Sequence, residues 1–211
     1  MNELLPLLLL GCGGHARSCI DVIESEGRYR IVGLVGQAHE VGKVVLGYPV
    51  LGSDKDIDRL GQLTRQALVT VGQIKSPDSR INLFERLTAS GWSLPAIISP
   101  FAHVSSHATI GAGTVVMHGA IVNAGARVGR NCIINSQALI EHDCNLGDHC
   151  HIATGAILNG EVSVGNASFI GSGTFVRQST IIGNRCVIGM GQMVFKNCAN
   201  ESRVPAWVSE A

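Results

Sequence analysis

Residues 131–165 read NCIINSQALIEHDCNLGDHCHIATGAILNGEVSVG, and the spacing of their aliphatic residues decides the fold. Ile134, Ile140, Leu146, Ile152, Leu158 and Val164 stand six apart. The same register holds from Ile98 to Val194, giving 17 consecutive Ile, Leu or Val residues without an insertion. Four residues after each comes a mostly small one, such as Ala138, Cys144, Cys150 and Ala156. A short fixed period of this kind marks a repeat architecture. It predicts short flat strands joined by tight turns into a triangular prism, a left-handed parallel β-helix of hexapeptide repeats. One aliphatic side chain per face fills the interior, and the small residue sits where the chain bends. Three hexads make one 18-residue coil, and Gly111, Gly129, Gly147, Gly165 and Gly183 repeat at that distance. Glycine is expected at such a corner because it accepts positive φ. With strands about 4.8 Å apart, fewer than six coils give a prism roughly 27 Å tall.

Composition agrees with a narrow interior. Of 211 residues 45% are hydrophobic but only 4% aromatic, with 26 Gly and seven Cys. Cys132, Cys144, Cys150, Cys186 and Cys198 all fall in the small-residue column, where a compact apolar side chain is wanted. The odd count and the lack of a CxxC pair argue against a disulfide framework and a zinc ribbon. Reduced thiols imply a reducing, cytoplasmic compartment. Sixteen basic residues balance sixteen acidic ones, so no long-range field recruits nucleic acid or an anionic membrane. The apolar run Leu4 to Leu10 is too short to span a bilayer, and it lacks the flanks of a signal peptide.

Residues 1–96 follow another rhythm. A strand-like Leu5–Leu10 ends in Gly11-Cys12-Gly13-Gly14-His15-Ala16, and Ala16, Cys19, Ile20 and Ile23 then mark one face of a helix. A strand at Ile31–Val35, turns over 36–52, a helix from Ser53 or Asp54, an apolar stretch 67–71 and a helix from about Asp78 to Ala89 complete a small parallel-sheet α/β domain. Gly11-x-Gly13-x-x-Ala16 meets the relaxed dinucleotide-binding pattern. Its usual acidic partner after the second strand is missing, since that position reads Val35-Gly36. Helix-terminal N–H groups can still cradle phosphate. The loop therefore reads as a nucleotide or sugar-phosphate pocket in preference to an NAD site, the alternative being a purely structural turn.

Glu141-His142-Asp143 directly follows interior Ile140, which puts His142 at an outward or turn position. Ala124 and Gly160, 18 residues to either side, predict a gap next to the imidazole that a thin ligand could enter. An imidazole can take a proton at neutral pH, and an adjacent carboxylate can fix its tautomer. Both Glu141 and Asp143 offer one, and the alternative is an exposed surface triplet. Some hexapeptide-repeat proteins are zinc-dependent carbonic anhydrases, but the i, i+5 histidine pair their pattern requires is missing, and His149 and His151 stand two apart. No metal is expected.

The GxGGHA loop opening an α/β domain, coupled to hexapeptides carrying Asn135-x5-Glu141-His142-Asp143, resembles the sugar O-/N-acyltransferase family over nearly the whole chain. That family includes bacillosamine-pathway UDP-4-amino-sugar N-acetyltransferases, GDP-perosamine N-acetyltransferases and sialic acid O-acetyltransferases. The resemblance implies an acetyl-CoA co-substrate and a nucleotide-sugar acceptor. It implies His142 as general base supported by Glu141 and Asp143. It assigns Asn135, His151, Gly160, Gly171 and Gly189 to acetyl-CoA, with the Gly160 N–H facing the thioester carbonyl. Gly11, Gly13, Gly14, His15 and Gly72 are assigned to the acceptor. It further implies a homotrimer with active sites between prisms, divided into a substrate domain (1–96), a transferase domain (97–198) and a tail (199–211). Two features depart from the family. Val35-Gly36 lacks the acid, and Arg203-Val204-Pro205-Ala206-Trp207 replaces a Gly-x-Pro-Ala-Lys-like tail, leaving Arg203 or Lys196 to meet CoA phosphate. O-acetylation of a sialic acid and a non-catalytic trimeric scaffold are the competing readings.

Overall fold

The computed structural model describes residues 4–73 and 76–205; the Ala206-Trp207 part of the tail lies outside them. β1 (Leu5–Leu10) sits inside a five-stranded sheet between β2 (Tyr29–Gly36) and β5 (Ala67–Val69), both parallel to it. β4 (Tyr48–Ser53) extends the sheet beyond β2, and β3 (Val44–Val45) closes an antiparallel edge hairpin onto β4. Parallel strands are covered on both faces and therefore read as continuous apolar runs. Leu7 and Leu9 face α1 (Gly14–Glu26) and the prism, while Leu8 and Leu10 face α2 (Ile57–Leu60) and α3 (Asp78–Ala89).

α1 buries Ala16, Cys19, Ile20 and Ile23 as the spacing predicts, with Val22 in addition. It ends at Gly27, whose left-handed conformation returns its N–H to the Ile23 carbonyl. The segment read as turns over 36–52 contains the β3–β4 hairpin, whose Gly47, Pro49 and Gly52 interrupt the apolar pattern. The helix expected near Ser53 is instead a 3₁₀ turn, Asp54–Asp56, running into the single turn of α2.

The prism begins with β6 (Ile97–Ile98) and repeats two-residue strands every six residues to β22 (Met193–Val194), with β23 (Arg203–Val204) added to one face. Strands 18 residues apart pair in parallel, for example Ile134 with Ile152 and Ile140 with Leu158. They form faces of seven, six and five strands around a buried aliphatic column. All seven cysteines are free. Those in the small column do more than fill space. Cys132 Sγ donates to the Gly147 carbonyl (3.2 Å) and Cys150 Sγ to that of Gly165 (3.1 Å). Thr114 and Ser168 make the same 15-residue step with their hydroxyls, both at 2.8 Å. At this one corner, where Thr114, Cys132, Cys150, Ser168 and Cys186 stand 18 apart, the small side chain also carries a donor, whereas Ala138 and Ala156 on another corner only fill space.

The corner glycines are correct in position, but their cause differs from the sequence expectation. Their φ is not positive. A Cβ on Gly129 would lie 2.6 Å from the backbone carbon of Gly147, so close stacking of coils demands glycine there. The left-handed positions come two residues later and accept Asn131 (φ 53°), His149 (φ 62°), Ala167 (φ 61°) and Arg185 (φ 54°) as well as Gly113.

The α/β domain is seated on the seven-stranded face. Ile97, Val115, Met117 and Ile133 pack into one cluster with Leu7, Leu9, Ile20 and Ile23. Arg80 of α3 is buried at this seam and donates to carbonyls of Val69, Val71 and the prism's Asn131.

Candidate active site

His142 stands on the corner that follows β13 (Leu139–Ile140). Asp143 holds a left-handed conformation, which Asp tolerates better than most residues. This places its Oδ2 2.9 Å from His142 Nδ1. An ionised carboxylate only accepts, so Nδ1 carries the proton and the lone pair is on Nε2. The hydrogen bond to Asp143 is the main cause holding the imidazole above its ordinary pKa. Glu141 is turned elsewhere. Its Oε2 accepts from Asn123 Nδ2 (2.9 Å), one coil earlier, and from the His142 backbone N–H (3.3 Å). Asp143 is thus the ring's partner, and Glu141 braces the corner.

The expected gap beside His142 is taken up by the imidazole itself. A Cβ on Gly160 would lie 2.6 Å from His142 Nε2, so the missing side chain is what allows the ring to lean there. Gly125, 18 residues before Asp143, clears space for that carboxylate in the same way. The Gly160 N–H donates to none of the described residues. An open groove of about 540 Å³ starts here, lined by Glu141, His142, Asn159, Gly160, Phe175, Arg177, Gln178, Met193 and Phe195.

A second cavity, about 1040 Å³, lies between the Gly11–His15 loop, the ends of β2 and β5, and the prism. Gly11 is required by packing, since with φ at 121° a Cβ would meet the Thr70 carbonyl carbon at 2.8 Å. Gly13 and Gly14 have no such constraint. A Cβ on either would find nothing within 4 Å, so their bare backbone faces open space. His15 and Gly72 also line this cavity. Burial, with help from the charge of Arg80, pushes His15 down to about 3 and His151 to about 4, so both rings are neutral at pH 7. His151 Nδ1 lies 2.6 Å from the Gln73 carbonyl, which can only accept. Its Nε2 is therefore an acceptor, facing Asn135 Nδ2 at 3.3 Å. The acid missing at Val35-Gly36 arrives four residues later. Glu40 lines the cavity, is held below the usual carboxylate range by the Gln37 N–H (2.8 Å), and adds to the burial that drives Cys12 to about 11.

Within a single chain Asn135 and His151 therefore line the cavity of the Gly11–His15 loop, while Gly160 lines the His142 groove; the resemblance assigned all three to acetyl-CoA in a site shared between prisms. Asn135 lies on the corner before β13 and His142 on the corner after it, so they flank opposite edges of the six-stranded face. The two cavities share no lining residue. Gly171 and Gly189 continue the Asn135 corner column and line neither cavity. A Cβ on Gly171 would meet the Gly189 backbone at 2.5 Å. Arg203 points to the other side, bonding the Arg185 carbonyl at 3.2 Å. Asn123, Gly125 and Arg177 escaped the sequence reading, although each stands a multiple of 18 residues from the Glu-His-Asp triplet. Among the described residues no group of three His, Cys, Asp or Glu is placed to hold a metal ion.

Family models match three parts of the chain: the PglD N-terminal domain over residues 6–87, the bacterial transferase hexapeptide over 125–160, and the hexapeptide repeat of succinyl-transferase over 161–196. No curated protein sequence matches. Among solved structures, perosamine N-acetyltransferase PerB from Caulobacter crescentus, in complex with CoA and GDP-perosamine, is 30% identical with a TM-score of 0.89, over 97% of this chain and 95% of that one. The acetyltransferase domain of PglB from Neisseria gonorrhoeae, in complex with acetyl coenzyme A, is 31% identical with a TM-score of 0.86, over 97% of each chain. WeeI from Acinetobacter baumannii shares the fold at 20% identity and a TM-score of 0.83. With this identity to such enzymes along nearly its full length, the chain belongs to the hexapeptide-repeat sugar O-/N-acyltransferase family, among its acetyl-CoA-dependent sugar N-acetyltransferases.

Proposed function

We propose that this chain transfers the acetyl group of acetyl-CoA to the amine of a nucleotide-linked 4-amino sugar by direct attack, with His142 as general base. One observation carries the reading: His142 has Nδ1 anchored on Asp143 and Nε2 open over Gly160, at the mouth of a groove. The acceptor nitrogen attacks the thioester carbonyl carbon while Nε2 removes its proton. Asp143 stabilises the imidazolium, and the unpaired Gly160 N–H is available to the developing oxyanion. The C–S bond then breaks and the leaving thiolate takes the proton back from His142. No enzyme nucleophile is needed, and burial pushes the nearby Cys144 thiol up to about 11.

The acceptor is assigned to the second cavity. Gly13 and Gly14 offer bare backbone at a helix N-terminus, suited to a diphosphate, and Asn135, His15 and His151 offer neutral hydrogen-bonding groups. The two half-sites flank a face whose outward residues include exposed Ile121, Phe175 and Met193. A homotrimer that covers this face and sets the His142 groove of one protomer against the Asn135 corner of the next accounts for both features. In that arrangement Gly171 and Gly189 give the acetyl-CoA arm a flat wall. Residues 1–96 then bind acceptor, 97–198 carry out transfer and 199–211 form the tail. Seven free thiols support a reducing, cytoplasmic setting, and no described helix is long and apolar enough to cross a membrane.

The test is CoA release measured with a panel of 4-amino nucleotide-sugars and sialic acids. Turnover with an amino sugar is the expected result. Turnover only with sialic acids would move the acceptor to the hydroxyl class, and neither turnover nor acetyl-CoA binding would favour a scaffold. The pH profile tests the base. Because Asp143 raises the His142 pKa, kcat/KM should fall with acid through a value above the ordinary ~6.5. Asp143→Asn should shift that limb to lower pH and reduce the plateau roughly tenfold or more. An unmoved limb would rule out Asp143 as the partner of the ring.

A further inference from the structure

The groove at His142 runs in one direction only. Its corner-lining residues step upward by coils, from Glu141 and His142 to Asn159 and Gly160, then Arg177 and Gln178, then Phe195. Nothing from the preceding coil, neither Asn123 nor Ala124, lines it. Three coil steps of about 4.8 Å give a length of roughly 14 Å toward the C-terminal end. Its chemistry changes along that length, from imidazole and carboxylate to a cation on the coil that also carries Phe175, and then on the last coil to Met193 and Phe195, which are 67% and 58% exposed. Arg177 is exposed and makes no side-chain hydrogen bond or ion pair with any described residue. By contrast Arg130 is paired with Asp148 and Arg185 with Asp78.

From this gradient we infer that Arg177 binds the diphosphate of the acyl donor, with Phe195 at the adenine end. The inference rests on the proposed function, which fixes the thioester at His142 and Gly160. A donor anchored there can leave only along the groove. Its anionic groups then reach a guanidinium, which suits phosphate oxygens through paired N–H donors. Beyond it the exposed aromatic end suits a stacked base. Of the two other bases considered, Arg203 of the tail is on another face, whereas Lys196 stands 18 residues after Gln178 and so at the far end of the His142 column.

Arg177→Gln tests this. The KM for acetyl-CoA should rise roughly tenfold, the loss of one charge-assisted contact, with kcat and the KM for the nucleotide-sugar unchanged. S-acetylpantetheine presents the same thioester without the diphosphate and should be used equally well by wild type and variant. Arg203→Gln should leave the acetyl-CoA KM as in wild type. Equal losses with both donors, a change confined to the nucleotide-sugar, or no change would each overturn the assignment. So would dissociation of the oligomer in Arg177→Gln, which would make the residue an interface contact. Calorimetric binding of CoA alone needs no acceptor. A tenfold weaker Kd in the variant would uphold Arg177 even if every acceptor in the panel failed.

Discussion

His142→Ala should lower kcat for acetyl transfer by roughly 10²–10⁴-fold while leaving the fold and the oligomer as they are. The side chain is half exposed and rests on a glycine, so its removal opens no buried cavity. Surface changes of this kind stay within about 0.5 kcal/mol. The effect must come from chemistry. The residual rate measures what alignment of donor and acceptor achieves without a base. CoA release at saturating acceptor is the measurement, with circular dichroism and size-exclusion chromatography as the structural controls. Near-normal turnover would remove His142 from the mechanism. Glu141→Gln provides a contrast. Its carboxylate touches Asn123 and a backbone N–H and makes no bond to the ring; only its charge helps to raise the imidazole pKa, as a smaller cause than the Asp143 hydrogen bond, so the acid limb should move toward lower pH by less than in Asp143→Asn.

The period of six made the prism legible, because an interior position and a corner position each recur without slippage. The same register also separated the half-sites: Asn135 and His142 are seven residues apart and so occupy successive corners. The resemblance grouped them because it describes a completed site, whereas hexad arithmetic describes one chain. Pairs 18 apart were equally readable. Gly160 under His142, Gly125 under Asp143 and Asn123 under Glu141 all follow from stacking coils. What the period leaves out is direction. It does not say that Asp143 turns toward the ring while Glu141 turns to Asn123, since that depends on left-handed backbone at Asp143. It also carries no information on the α/β domain, where Gly47, Pro49 and Gly52 hid an edge hairpin and a further 3₁₀ turn, Ala38–Glu40, brought Glu40 to the loop. The corner glycines show a correct pattern with a different cause, close approach of stacked backbone in place of positive φ.

Arg80→Met should cost about 3–5 kcal/mol of stability, and the reason lies in what the guanidinium joins. Arg80 is 1% exposed. Its Nη1 donates to the carbonyls of Val69 (2.5 Å) and Val71 (3.0 Å), at the end of β5, and its Nε to that of Asn131 (3.2 Å) in the prism. It forms no salt bridge with a described carboxylate. Burial pulls its pKa down to about 10, still far above neutrality, so the folded protein holds a charged group there at pH 7. Methionine preserves the bulk but strands three buried carbonyls, each at about 1–3 kcal/mol. Relief from burying an uncompensated cation offsets only part of that loss. At about 2–4 °C per kcal/mol for a chain of this size, Tm should fall by roughly 10 °C. The damage should also be directional. Thr70 to Gln73 line the acceptor cavity, and Gln73 holds His151 in its tautomer. Loosening the end of β5 should therefore raise the KM for the nucleotide-sugar, while CoA affinity, set in the other groove, stays constant. His15 and His151 remain neutral in the variant, because desolvation is the larger cause of their depressed pKa values. The KM change would then report misplacement of the cavity wall and not new charge. A Tm within two degrees of wild type, or equal losses for both substrates, would show that Arg80 does not tie the acceptor domain to the prism.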